Sequence, residues 1–131
     1  MKQPTILIVD NDKSVANALK RALWREGYRI LTAQNGNEAL SKMDAFHCHL
    51  ILADQRMPEM NGIELLTRIK EKYPNTIRML ITSQIDFENL CKGIDQSCIY
   101  KCISKPWEPE ELKILIRKGL ERYGLSVKKD G

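Results

Sequence analysis

Leu50-Ile51-Leu52-Ala53-Asp54-Gln55-Arg56-Met57-Pro58 is the stretch whose reading decides the fold. Four apolar residues end on a carboxylate, and a turn closing on proline follows at once. Unbroken apolar runs of this length, as opposed to alternating ones, belong to strands covered on both faces. In open α/β sheets, ligands bind in the crevice beyond the carboxyl ends of such strands, so Asp54 faces that crevice. The pattern recurs on either side. Ile6-Leu7-Ile8-Val9 ends on Asp10 and Asn11, Met79-Leu80-Ile81 ends on Thr82, and Ile103-Ser104 leads to Lys105. Acid, amide, hydroxyl and ammonium, each closing a different apolar run, read as a phosphoryl-acceptor site.

Between these runs the periodicity switches to that of helices. Asp12 is placed to cap a helix whose stripe is Val15, Ala18, Leu19, Ala22 and Leu23, ending at Gly27. Tyr28 to Thr32 reads as a second strand, and Asn35-Gly36 turns into a helix around Glu38 to Met43. His49 to Ala53 is the third strand. Asn61-Gly62 then opens a helix with Ile63, Leu66 and Ile69 on one side. A fourth strand is expected over Ile77 to Ile81, a helix over Asp86 to Asp95 and a fifth strand over Cys98 to Ile103. The last helix spans Pro109 to Arg122, with Leu112, Leu115, Ile116 and Leu120 inward and Trp107 packing against it. Strands alternating with helices mean βαβ units, hence a parallel sheet with helices on both faces.

The 131 residues fit one domain, residues 1–124, followed by a polar tail or linker stub at 125–131. No apolar stretch approaches the ~20 residues that span a bilayer, and Met1-Lys2-Gln3-Pro4 leads directly into a strand, so a cytoplasmic location without membrane contact is expected. The net charge of +4 is spread over scattered lysines and Lys128-Lys129, which argues against direct nucleic-acid contact. Cys48, Cys91, Cys98 and Cys102 include no Cys-x-x-Cys pair and match no zinc spacing, even with His47 and His49 beside Cys48. They are expected to be free thiols, with Cys48 and Cys102 as small apolar fillers.

Phosphoryl transfer to a carboxylate requires a nucleophilic oxygen, a divalent cation and fixed positive charge. Asp10 and Asp54 supply two carboxylates and Asn11 a neutral oxygen, a donor set suited to Mg²⁺. Lys105 supplies the fixed charge and Thr82 a hydroxyl. The backbone N–H groups of Gln55 and Ser83 are expected to face the same place.

These residues resemble the receiver domain of two-component response regulators. The resemblance is carried by Ile6-Leu7-Ile8-Val9-Asp10-Asn11-Asp12, Ala53-Asp54-Gln55-Arg56-Met57-Pro58, Met60-Asn61-Gly62, Ile81-Thr82 and Ser104-Lys105-Pro106-Trp107. It implies a flavodoxin-like, doubly wound, five-stranded parallel sheet of order 2-1-3-4-5 with five helices. It implies a signalling domain rather than an enzyme, one that promotes its own phosphoryl uptake and loss. Asp54 would be the phosphoacceptor, served by a sensor histidine kinase or phosphotransfer protein. Asp10, Asn11, Asp54 and the main-chain carbonyl of Arg56 would surround Mg²⁺, while Thr82 and Lys105 contact the phosphoryl group. The Lys105–Pro106 bond would be cis. The face made by the fourth helix, fifth strand and fifth helix would carry the output, to an effector domain or protein or through a phosphorylation-dependent homodimer.

The chain departs from the family pattern in three places. Asn11 stands where the family has a second acid, which removes one negative charge from the metal site; Asp12 could compensate, although capping is its simpler role. Cys102 stands at the switch position that is usually aromatic. Tyr100, two residues away, is placed by strand alternation on the same face. Ser97 stands where a helix-ending glycine is common. Arg56 and Gln84 occupy the variable positions that tune phosphoryl lifetime in the family, next to Ser83. Two other readings remain: a receiver-like module that signals by contact alone, favoured by Asn11 and Cys102, and a phosphatase resembling the haloacid dehalogenases with Asp10 as nucleophile.

Overall fold

A computed structural model describes residues 3–93 and 97–124. The strands are β1 (Thr5–Val9), β2 (Arg29–Ala33), β3 (Leu50–Asp54), β4 (Ile77–Thr82) and β5 (Lys101–Ser104). All pair in parallel, in the order β2-β1-β3-β4-β5. The helices are α1 (Lys13–Ala22), α2 (Gly36–Ala45), α3 (Gly62–Lys72), α4 (Gln84–Leu90) and α5 (Pro109–Tyr123), with a 3₁₀ turn at Cys91–Gly93.

The apolar strand runs have the predicted consequence. Every residue of β1 and β3 is buried, and successive side chains serve opposite layers. Leu7, Val9, Ile51, Ala53 and Leu80 pack beneath Ala39 and Met43 of α2 and Leu65, Leu66 and Ile69 of α3. Ile6, Ile8, Leu50, Leu52, Met79 and Ile81 pack beneath Ala16 and Leu19 of α1 and Leu112, Ile116 and Leu120 of α5. Each fully buried Leu or Ile contributes about 1.5–3 kcal/mol, so the two layers fix the sheet and aim its carboxyl ends at one crevice. Trp107 packs on the α1/α5 layer, as its sequence position predicts. α4 differs from the other helices: none of its seven residues is buried.

Caps place the helix starts. Asp12 accepts from the Ser14 N–H at 2.9 Å, Asn35 from the Glu38 N–H at 2.8 Å, and Asn61 forms a reciprocal capping box with Glu64. Gly124, at φ 90°, ends α5.

Several expected boundaries move. α1 stops at Ala22; Leu23 to Glu26 continue only as turns, and Gly27 at φ 84° swings the chain into β2. β5 begins at Lys101, not Cys98. The carbonyls of Ser97 and Cys98 are taken by the Arg78 guanidinium, at 3.1 and 2.6 Å, and so are unavailable to a sheet ladder. Tyr100 therefore precedes the strand, and alternation does not carry it to the Cys102 side: it packs on the α1/α5 layer under Arg122, whereas Cys102 faces the α2/α3 layer. The fourth helix starts at Gln84, two residues before the expected Asp86, because Ser83 caps it, accepting from the Asp86 N–H at 3.2 Å. Its expected end at Asp95, like the expected tail at 125–131, lies outside the described residues.

Cys91 and Cys102 are not free thiols. They form a disulfide with Cα atoms 6.3 Å apart, while Cys48 and Cys98 are free. Linear spacing gave no sign of this, because the pair meets only after the fold has laid the end of α4 against β5. Cys48 is buried in the α2/α3 layer, consistent with a filler role.

Candidate functional site

Asp54 is the last residue of β3, and Asp10 follows β1 directly, with Val9 paired to Ala53. The two carboxylates thus leave neighbouring strands side by side. Thr82 ends β4 and Lys105 follows β5, with Thr82 paired to Ser104. The Lys105 N–H donates to the Thr82 carbonyl at 2.8 Å, fixing the lysine beside the threonine. The Lys105–Pro106 bond is cis. The ammonium reaches Asp54 Oδ1 at 2.7 Å. Side chains at positions 10, 54, 82 and 105 therefore converge at the carboxyl end of the sheet.

Asp10, Asp54 and Thr82 are nearly sealed from solvent, at 3, 7 and 1% exposure, and Lys105 is partly exposed. Asp10 Oδ1 accepts from the Asp12 N–H at 2.9 Å. No donor among the described residues reaches Asp10 Oδ2, and Thr82 Oγ1 has no partner either. Burial pushes the Asp10 carboxyl above its ordinary range, with the nearby Asp54 charge acting in the same direction. A buried acceptor without a donor costs about 1–3 kcal/mol, more when charged. Such an oxygen beside a second carboxylate suits a cation, and the hard oxygen set here matches what Mg²⁺ takes.

The remaining predicted positions line the rim. Asn11 is exposed. Asp12 is occupied by its cap, accepting from the Ser14 N–H and hydroxyl at 2.9 and 2.6 Å, and those bonds hold its carboxyl below the ordinary value. Gln84 and Ser83 are exposed at the start of α4, and Pro106 is exposed beyond β5. Gln55 corrects one expectation: its N–H donates to the Ile81 carbonyl at 3.0 Å and is not free for a ligand. Its carbonyl and side-chain oxygen accept from the Gly62 and Ile63 N–H groups, so Gln55 ties β3 to α3.

Asp86 was missed. It receives Arg56 through two bonds, Nε to Oδ2 at 2.7 Å and Nη2 to Oδ1 at 3.0 Å, bridging the loop after β3 to α4. A separation of 30 positions leaves no sequence signal for that pair. Cys102 was singled out as a missing aromatic; its bond to Cys91 was not.

A model of the response regulator receiver domain matches residues 6–117. The chain belongs to the response-regulator receiver family. It is 36% identical over 124 residues to the hydrogenase transcriptional regulatory protein HoxA of Cupriavidus necator, covering 95% of this chain and 26% of that protein. It is 29% identical over 123 residues to the DNA-binding transcriptional regulator NtrC of Proteus hauseri, covering 94% and 26%. The receiver thus spans about a quarter of the length of these relatives. Its fold is that of the signal receiver domain of an HD domain-containing protein from Pseudomonas fluorescens Pf-5, with TM-score 0.87, 32% identity and coverage of 94% and 98%. A CheY-like receiver from Methanospirillum hungatei JF-1 gives TM-score 0.85, 28% identity and coverage of 94% and 98%. Membership decides for a two-component signalling domain over the phosphatase resemblance. Among the described residues, no helix is long and apolar enough to cross a membrane.

Proposed function

We propose that residues 1–124 form a phosphoacceptor receiver in which Asp54 takes a phosphoryl group from the phosphohistidine of a sensor kinase or phosphotransfer protein. The observation that carries this is the pair of buried polar atoms without partners, Asp10 Oδ2 and Thr82 Oγ1, on either side of an Asp54 already held by Lys105. Those two atoms are the ones a cation and a phosphoryl oxygen would engage.

Asp10, Asp54, Asn11 and the Arg56 carbonyl would hold Mg²⁺. Bound there, the ion supplies charge neutralisation for the transferring group. Lys105 grips Oδ1 of Asp54 and leaves Oδ2 to attack phosphorus in line. An O–P bond forms as the P–N bond to the donor imidazole breaks, and the nitrogen keeps the electron pair. Lys105 and the Thr82 hydroxyl then hold two of the new phosphoryl oxygens. The pull on Thr82, which directly precedes Ser83 and α4, shifts the population of the α4–β5–α5 face. An effector domain or protein, as in the transcriptional regulators this chain resembles, or a second copy would read that face.

Incubation with Mg²⁺ and acetyl phosphate tests the reading by intact mass. One phosphoryl group should be gained by the wild-type chain and none by Asp54→Asn. Uptake at Asp10 would favour phosphatase chemistry, and no uptake at saturating Mg²⁺ would favour a module that signals by contact alone.

A further inference from the structure

We propose that Cys91 and Cys102 form a reversible redox site that fastens the end of α4 to β5 and so sets how freely α4 can move. The argument starts from how little else holds this helix. None of its seven residues is buried, and Ile85 is 71% exposed. Beyond the partial burial of Asp86, Phe87 and Leu90, its attachments among the described residues are the Ser83 cap at its start, the pair from an exposed Arg56 to Asp86, and the disulfide just past its end. Cys91 directly follows Leu90, and Cys102 lies within β5, which is paired to β4 on one side and forms the sheet edge on the other. The bond therefore joins the least anchored helix to the rigid sheet. Both cysteines are only partly buried, so a small thiol or disulfide can reach the pair, whereas Cys48 is sealed in the core.

The oxidant is a low-molecular-weight disulfide. A thiolate of the pair attacks one of its sulfurs, the external S–S bond breaks and one external thiolate leaves. The second protein thiolate then attacks the mixed disulfide and expels the other external thiolate. The two protons lost by the cysteines are taken by the two departing thiolates, so two protein thiols are oxidised and one external disulfide is reduced. In a reducing compartment such a bond is transient and suits sensing better than permanent bracing.

The consequence for signalling rests on the phosphoacceptor reading above. α4 follows Thr82 by one residue, so a covalent tether at its far end restrains the helix that phosphorylation would move. Oxidation then blunts the response of the α4–β5–α5 face without touching Asp10, Asp54, Thr82 or Lys105.

The test uses the full chain equilibrated folded in glutathione buffers of graded oxidation, then acid-quenched and unfolded so that every remaining thiol, buried Cys48 included, is alkylated and located by peptide mass. The expected result is that Cys91 and Cys102 lose alkylation together while Cys48 and Cys98 remain modified. Hydrogen exchange across residues 84–90 should be slower by about tenfold or more in the oxidised form, and Cys91→Ser should exchange like the reduced chain under both conditions. A Cys98→Ser control should behave as wild type. Failure of the pair to form in any buffer, capture of Cys98 in its place, or equal α4 exchange in both forms would overturn the proposal. Beryllofluoride with Mg²⁺ separates the two readings. A change at α4 in the reduced chain that shrinks in the oxidised chain supports the link. An equal change in both overturns it. No change in either form defeats the phosphoacceptor reading, while the exchange difference still decides whether the redox tether exists.

Discussion

Replacing Gly62 with alanine should destabilise the protein far more than the same change at Gly119, although both sites are buried and helical. A Cβ on Gly62 would lie 2.6 Å from the Asp54 carbonyl oxygen, 2.6 Å from Leu80 Cδ1 and 3.0 Å from Gln55 Cα. Ordinary contact begins at 3.4 Å, so the carbonyl must retreat by about 0.8 Å. It cannot retreat easily. Asp54 is paired to Ile81, the Gln55 N–H is bonded to the Ile81 carbonyl, and the Gly62 N–H is bonded to the Gln55 carbonyl at 3.0 Å. Overpacking against fixed backbone costs about 1–3 kcal/mol, less about 0.4–1 kcal/mol gained by restricting the unfolded chain. A net loss of about 1–2 kcal/mol follows, roughly a 3–8 °C fall in Tm for a domain of this size. A Cβ on Gly119 meets side chains and no backbone: the flexible end of Met79 (Cε) at 2.8 Å, and Ile77 Cγ2 and Leu50 Cδ1 at the milder 3.2 and 3.3 Å. Methionine yields readily, and alanine in a helix interior gains about 1 kcal/mol over glycine, so Gly119→Ala should stay within about 1 kcal/mol of wild type. Urea unfolding followed by circular dichroism gives both midpoints. Equal midpoints for the two variants, or a wild-type midpoint for Gly62→Ala, would refute the claim that β3 backbone rigidity is what requires glycine there. Because the displaced carbonyl belongs to Asp54, Gly62→Ala should also slow phosphoryl uptake in whatever fraction stays folded.

Restoring an acid by Asn11→Asp should tighten Mg²⁺ binding by about tenfold, since an added unit charge near the ion acts through partly solvated surroundings; an unchanged Kd by calorimetry would remove position 11 from the metal site. Lys105→Met should slow uptake from acetyl phosphate by roughly a hundredfold, the loss expected when one preorganised cationic donor is removed, and a wild-type rate by stopped-flow would place the developing charge elsewhere. Burial pushes the Cys48 thiol above its ordinary 9.0. An acid whose pKa is raised on folding contributes stability that is complete below its unfolded value and lost as pH rises past it. Cys48→Ala should therefore flatten the decline in stability above about pH 9 relative to wild type, at the expense of a small cavity, and parallel alkaline limbs would show that this thiol does not titrate in the fold.

The central part of the fold was legible because β1 and β3 are buried on both faces, and that burial writes itself as unbroken apolar runs. Asp10, Asp54 and Thr82 were legible for the same reason, since each is the first polar residue after such a run, whereas Lys105 follows Ser104 at the end of a half-buried strand and was legible from its Lys-Pro motif. The edges were not. β5 lost its expected first residues to Arg78, a single buried guanidinium whose bonds to two carbonyls follow no periodic pattern. Tyr100 was misplaced as a direct result. The Cys91–Cys102 bond and the Arg56–Asp86 pair share another cause: each joins segments that approach only through the packing of α4, a helix without a buried stripe to announce its orientation.

The same contrast explains why function and weak anchoring occur together. Two buried polar atoms without partners are a liability of about 1–3 kcal/mol each, tolerated because the layers beneath α1, α2, α3 and α5 are sealed. A ligand that satisfies Asp10 Oδ2 and Thr82 Oγ1 recovers that free energy, and the recovery can drive a conformational change only in an element whose own hold is of similar size. The four well-buried helices exceed it many times over. Among the described helices, α4, held by half-buried side chains, a cap, one ion pair and a bond that thiols can open, is the one whose position lies within reach of the free energy available at the site.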